Sequence, residues 1–171
     1  MANKTTVPQR KNHRIGVFVD VSNMYHSAKN LYKSRVNFRE LLRIVTANRE
    51  LVRAIAYVIK SDTKEEKSFF EALEKAGFEL KSKDLQIFPG GMKKGDWDVA
   101  IAIDAITLSK LVDVVVIVSG DGDYEPLVEY LKFNGLVVEV AGFDRSTSAR
   151  LIAVAHNFID LEEVKDKVLL K

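Results

Sequence analysis

Short, largely apolar runs alternate with amphipathic stretches along the chain, and this alternation restricts the fold more than any other feature. Residues 15–19, 51–59, 114–119 and 137–141 are rich in Val and Ile. A strand with one wet face would alternate apolar and polar residues; a continuous apolar run marks a strand covered on both sides. Between these runs, residues 22–31, 63–76 and 98–111 carry helical spacing, as Phe69, Phe70, Leu73 and Ala76 do. Asn37 followed by Glu40 reads as a capping box that opens a helix to about residue 45. Gly77 and Gly135 stand where helices should end, Asp123 is placed to cap a helix running to Phe133, and Ser148 opens one to about His156. Residues 78–83, or a second piece at 86–88, supply another strand, 158–159 a last short one, and the tail after Leu161 reads as helical. The stretch 89–95, with Pro89, Gly90, Gly91 and Gly95, reads as a mobile loop.

Strand–helix alternation of this length implies right-handed crossovers and a mainly parallel sheet with helices on both faces. The expected fold is a Rossmann-like three-layer α/β/α sandwich. At 171 residues the chain suits one domain. Residues 1–13 are expected to form a flexible basic arm, 14–163 the domain, and 164–171 a helical tail. The first fourteen residues have no apolar segment of the secretory type, and the longest apolar run is too short to span a bilayer. No cysteine is present, which excludes disulfides, zinc–thiolate sites and a cysteine nucleophile and favours a cytoplasmic setting. The formal charge of +2 announces no nucleic-acid binder, so a basic contact surface would have to be local.

In open parallel sheets, ligands bind outside the carboxyl ends of the strands, where strand order reverses. Asp20 directly follows the first strand, and Asp121 and Asp123 directly follow the run at 114–118. If those strands are neighbours, three carboxylates converge. Like charges so placed repel unless a cation is present, and hard oxygen donors without thiols point to Mg²⁺ or Mn²⁺. Asp96 and Asp98 follow the glycine-rich stretch near a helix start, where either could simply be a cap. Asp104 lies in an otherwise apolar helical stretch and must find a metal, a basic side chain or a backbone cap. Asn23, three residues beyond Asp20, could reach a phosphate oxygen or cap its helix, and Ser119 could bond a carboxylate or phosphate. His26 follows on a similar face but stands alone. The Asp-x-Asp of haloacid-dehalogenase-type phosphatases, a Walker Gly-Lys-Ser/Thr and a full dinucleotide-binding glycine fingerprint are all missing. A Toprim-like arrangement would want Glu where Asp20 stands.

Three segments then fall into a known order: Phe18-Val19-Asp20-Val21-Ser22-Asn23, Lys94-Gly95-Asp96-Trp97-Asp98-Val99 with Asp104, and Val118-Ser119-Gly120-Asp121-Gly122-Asp123-Tyr124. In these the sequence resembles the NYN domain family, LabA-like branch, of the PIN-like nuclease superfamily, over roughly residues 14–163. The resemblance implies a PIN-like sheet of order 3-2-1-4-5 and a Mg²⁺/Mn²⁺-dependent ribonuclease site. It places Asp20, Asp98, Asp121 and Asp123 as the acidic metal cluster, with Asn23 beside Asp20. The expected partner is RNA, single-stranded or structured, with no membrane and with room for a homodimer. Phosphate contacts would come from the rim, with Lys93, Lys94, Arg145 and Arg150 as the candidates. The alternative is a non-catalytic RNA- or nucleotide-binding regulatory module that uses the same crevice.

Overall fold

The computed structural model describes residues 7–91, 93–94 and 96–171, with residues 93–94 as backbone. In chain order the strands are β1 (Arg14–Asp20), β2 (Glu50–Lys60), β3 (Glu79–Asp84), β4 (Gln86–Ile87), β5 (Lys93–Lys94), β6 (Val114–Val118), β7 (Val137–Gly142) and β8 (Asn157–Asp160). Six of them form one sheet in the order β3-β2-β1-β6-β7-β8, every neighbouring pair parallel. Counting main-sheet strands alone, the order is 3-2-1-4-5-6. The arrangement implied by the resemblance is thus extended by a sixth strand at one edge. The piece read as a possible strand at 86–88 holds β4, which pairs antiparallel with β5 inside the stretch read as a mobile loop, with Gly90 and Gly91 at positive φ in the turn between them.

The helices divide between the two faces. On one side α1 (Val21–Tyr32), α2 (Phe38–Thr46), α3 (Lys64–Ala76) and the short α7 (Lys165–Val168) close an apolar cluster around Val17, Val19, Val114, Val116 and Val118. On the other, α4 (Asp98–Leu108), α5 (Glu125–Phe133) and α6 (Ala149–Val154) cover Phe18, Ile55, Tyr57, Val115 and Ile117. All five residues of β6 are buried, as a strand with helices on both faces must be. Each such side chain contributes about 1.5–3 kcal/mol through removal from water.

Local signals explain most boundaries. Asn37 Oδ1 accepts from the Glu40 amide at 3.2 Å, the first half of the capping box. The Glu40 carboxylate turns to Arg43 instead of reaching back, because the Asn37 amide already donates to Val168 O at 2.7 Å. Gly77 ends α3 at φ 109, and Ser148 caps α6 through the Leu151 amide. Ahead of β1, Val7 and Asn157 exchange two hydrogen bonds at 2.9 Å, and Gln9 reaches Glu139. Glu139 itself is fully buried in a bidentate ion pair with Arg49, at 2.8 and 3.1 Å. Among the described residues, no helix is long and apolar enough to cross a membrane.

Candidate metal centre

Strand order reverses between β1 and β6: the chain winds outward from β1 to β3, then returns through α4 to the far side of β1. Asp20 ends β1 and Asp121 follows β6, so they flank the crevice where ligands bind in folds of this kind. Asp98 arrives from a third direction as the first residue of α4. Trp97 fixes that helix start, its indole N–H donating to Val58 O at 3.1 Å and its ring packed 5.4 Å from that of Tyr57.

Asp98, Asp121 and Asp123 each offer a carboxylate oxygen, and the three oxygens lie within 4.8 Å of one another. Asp20 joins them through Tyr124. The buried Tyr124 phenol reaches Asp98 Oδ1 at 3.1 Å and Asp20 Oδ2 at 3.3 Å. The other Asp20 oxygen accepts from the Asn23 amide at 3.2 Å, and Asn23 Oδ1 accepts from the Gly120 amide at 2.9 Å. Asn23 therefore ties the end of β1 to the end of β6, while Asp20 is the cap of α1. Ser119 is fully buried, and its hydroxyl accepts from the Asp121 amide at 3.2 Å.

Several sequence expectations change here. Asp123 does not cap α5. Asp121 accepts from the Asp123 amide at 2.9 Å and caps a 3-10 turn over Gly122–Tyr124, which leaves the Asp123 side chain exposed at the mouth. Neither Asp96 nor Asp98 caps α4, whose start at Trp97 has no side-chain cap; Asp96 lines the cleft and Asp98 enters the cluster. Asp104 finds a basic partner, Lys81 Nζ at 2.7 Å, together with the Tyr57 phenol at 2.7 Å. This local pairing accounts for its carboxylate. His26 lines the cleft wall with Asn23, Asn30 and Ser146. On the rim, Arg145 is held by Glu162 at 2.9 Å and lies over Tyr32, whereas Arg150 is largely exposed and only loosely paired with Glu125 at 3.5 Å. The side chains of Lys93 and Lys94 lie outside the described residues.

Electrostatics mark the cleft as short of positive charge. Burial pushes the Asp20 carboxyl above the usual carboxylate range; the Asn23 and Tyr124 hydrogen bonds oppose this, and the charges of Asp98 and Asp121 add to it. Asp98 is raised for the same leading reason, with Asp121, Asp96 and Asp123 adding repulsion. Tyr124 is pushed up by burial and by both carboxylates, so it remains a proton donor. Among the described residues no Lys or Arg pairs with any of the four aspartates. Carboxylate oxygens converging without a counter-charge, in a chain lacking thiols, suit a hard divalent cation.

A parallel α/β/α sandwich with an acidic cluster at its topological switch point defines a Rossmann-like domain whose cleft could hold an oxygen-bound cation. The NYN domain model matches residues 14–162, and the chain belongs to that family. It is 27% identical over 164 residues to the low amplitude and bright protein LabA of Synechococcus elongatus, covering 89% of this chain and 86% of that protein. A crystal structure of a Vibrio parahaemolyticus protein of unknown function superposes with a TM-score of 0.85 at 36% identity, over 96% of this chain and 100% of that one. NYN domains are in general nuclease-like.

Proposed function

We propose that this protein is a metal-dependent ribonuclease that hydrolyses RNA phosphodiester bonds at the Asp20, Asp98, Asp121 and Asp123 cleft. The observation that carries the reading is the meeting of three carboxylate oxygens within 4.8 Å, with no basic side chain among the described residues to neutralise them. Structural acids acquire partners, as Asp104 does with Lys81; here Asp98 and Asp121 line a cleft of about 340 Å³ without a basic partner among the described residues, and exposed Asp123 offers a third oxygen beside them. Membership of a nuclease-like family points the same way.

Asp98 and Asp121 would hold Mg²⁺ or Mn²⁺, with Asp20 and Asp123 completing the donor set. A cation bound there would supply charge neutralisation and Lewis acidity toward the phosphate oxygens. The protein's own part is positional. Asn23 and Tyr124 hold Asp20, and Tyr124 also holds Asp98. Exposed Asp123 would hold the cation or orient the attacking water. Arg150 is the rim cation with most freedom to meet a phosphate.

The test is cleavage of single- and double-stranded RNA with Mn²⁺ by the wild type, Asp20→Asn and Asp121→Asn, each checked for folding by circular dichroism. The expected result is metal-dependent cleavage by the wild type and its loss in both variants. Full activity in both would overturn the site. Tight RNA binding with no cleavage of any substrate would make the cleft that of a binding module.

A further inference from the structure

A second concavity of about 470 Å³ opens beside the acidic cleft, one strand further along the sheet edge, and Ser22 lines both. It lies over the end of β2, which runs on past the residue paired with Asp20, between α1 and α3. Its size falls within the roughly 300–1,000 Å³ of small-ligand sites. Tyr25, 43% exposed, forms part of its wall with Phe69 and Phe70, whose ring centroids lie 6.1 Å apart.

The charges on this pocket separate two kinds of occupant. Glu65 and Glu66 outnumber Arg35 on its lining, so the net charge of the wall disfavours a phosphate deep inside. Glu66 is committed to the Ser61 amide and hydroxyl, which leaves the exposed Glu65 carboxylate as an acceptor for an N–H edge. Cations stand around Tyr25 instead: Lys29 Nζ lies 5.6 Å from the Tyr25 ring centroid, and Arg35 on the pocket wall enters no ion pair among the described residues. Aromatic walls, an acceptor within and free cations alongside fit a heteroaromatic base flanked by phosphates.

We propose that this pocket receives one unstacked nucleobase of single-stranded RNA, adjacent to the phosphodiester held at the acidic cleft. The inference rests on the ribonuclease reading for its orientation, and it adds strand selectivity. A paired, stacked base cannot enter, so duplex RNA forfeits the contact.

The probe is a single-stranded oligoribonucleotide carrying 2-aminopurine, bound to protein in the Asp121→Asn background so that cleavage does not intervene. Tyr25→Ala should weaken binding about fivefold to a hundredfold, the range that base–aromatic stacking supplies, while Tyr25→Phe restores it. Arg35→Ala should weaken it as well, and duplex of the same sequence should be indifferent to Tyr25. The proposal is overturned if Tyr25→Ala and Arg35→Ala both bind single strands as the parent does, or if duplex and single strand lose affinity equally. Mn²⁺-dependent cleavage by the wild type reports separately on the catalytic reading, so either conclusion can fail without the other.

Discussion

The Tyr124 phenol lies 3.1 Å from Asp98 Oδ1, and the same oxygen lies 3.3 Å from Asp20 Oδ2, so one proton serves carboxylates from two different elements. A phenol carries a single O–H, and burial among two acids keeps it protonated. The consequence is mechanical: the end of β1 and the start of α4 are held at a fixed separation by a side chain anchored in the core. Tyr124→Phe preserves the ring packing and deletes the tie. The expected outcome is a Mn²⁺ affinity reduced roughly 10- to 100-fold, the usual cost of removing a partner that orients a metal ligand. Calorimetric titration with Mn²⁺ measures it, and an unchanged Kd would show that the two carboxylates need no such brace.

The crowding of acids carries a stability cost that a cation bound among them would relieve. Burial and the charges of Asp98 and Asp121 raise the Asp20 carboxyl, so at neutral pH its ionised form opposes folding of the metal-free protein. The sign follows: a carboxyl raised in the folded state favours the native form at low pH and costs stability as pH rises through its range. Asp20→Asn removes the charge and retains an oxygen for the Asn23 amide. The metal-free variant should melt higher than wild type, by about 2–4 °C for each kcal/mol regained in a domain of this size. Added Mn²⁺ should raise the melting temperature of the wild type and do little for the variant. A lower melting temperature for metal-free Asp20→Asn would contradict this account.

Asp113 offers a pH response far from the cleft. Its carboxylate receives the Arg14 guanidinium at 3.1 and 3.2 Å and the Arg14 amide at 2.8 Å, and this bonding holds it below the ordinary carboxylate range. A depressed carboxyl contributes stability that is complete above its unfolded value, near pH 3.9, and is lost as pH falls through the folded value. Thermal melts of wild type and Asp113→Asn should therefore differ at neutral pH and converge in strong acid. The gap should narrow with added salt, because both side chains are well exposed. A difference that widened on acidification would reverse the sign.

How far the sequence reached depends on the range of the interactions involved. Strands such as β6 were legible because burial on both faces writes itself into consecutive residues. Asp20 and Asp121 were legible because strand ends at a switch point are fixed by topology, a property of the whole pattern. Asp104 announced that it needed a partner but not which one, since Lys81 is 23 residues away and meets it only through strand packing. Tyr124 was quoted within its motif yet passed over: an aromatic at the start of a helix reads as core, and its ring is core. Only the phenol oxygen belongs to the site. The capping error at Asp123 is local, because a 3-10 turn moves the cap two residues back to Asp121 and leaves the Asp123 side chain exposed. The strand at 86–88 was legible, but its partner β5 was not: two residues in a glycine-rich stretch give no periodicity to read.

Gly120 is the residue on which the position of Asp121 depends most directly. Its amide donates to Asn23 Oδ1 at 2.9 Å and its carbonyl accepts from the Ser148 amide at 2.9 Å, so the peptide is pinned from both sides. A Cβ placed there would stand 2.4 Å from Ser146 O and 3.0 Å from Thr147 Cα, both backbone atoms. Neither can rotate away, so Gly120→Ala must displace one of the two loops. Overpacking of this sort costs about 1–3 kcal/mol. Because Asp121 is the next residue, the displacement should also open the group formed with Asp98 and Asp123, weakening Mn²⁺ binding along with stability. Gly142→Ala is the instructive comparison: its Cβ would meet the Thr147 hydroxyl at 2.6 Å, a side-chain atom that can be displaced at the cost of its 2.8 Å hydrogen bond to Phe143 O without moving backbone. That variant should lose less stability and keep its Mn²⁺ affinity. Thermal melts with and without Mn²⁺ distinguish the two, and a Gly120→Ala protein that binds Mn²⁺ as tightly as wild type would show that the cluster does not depend on this contact.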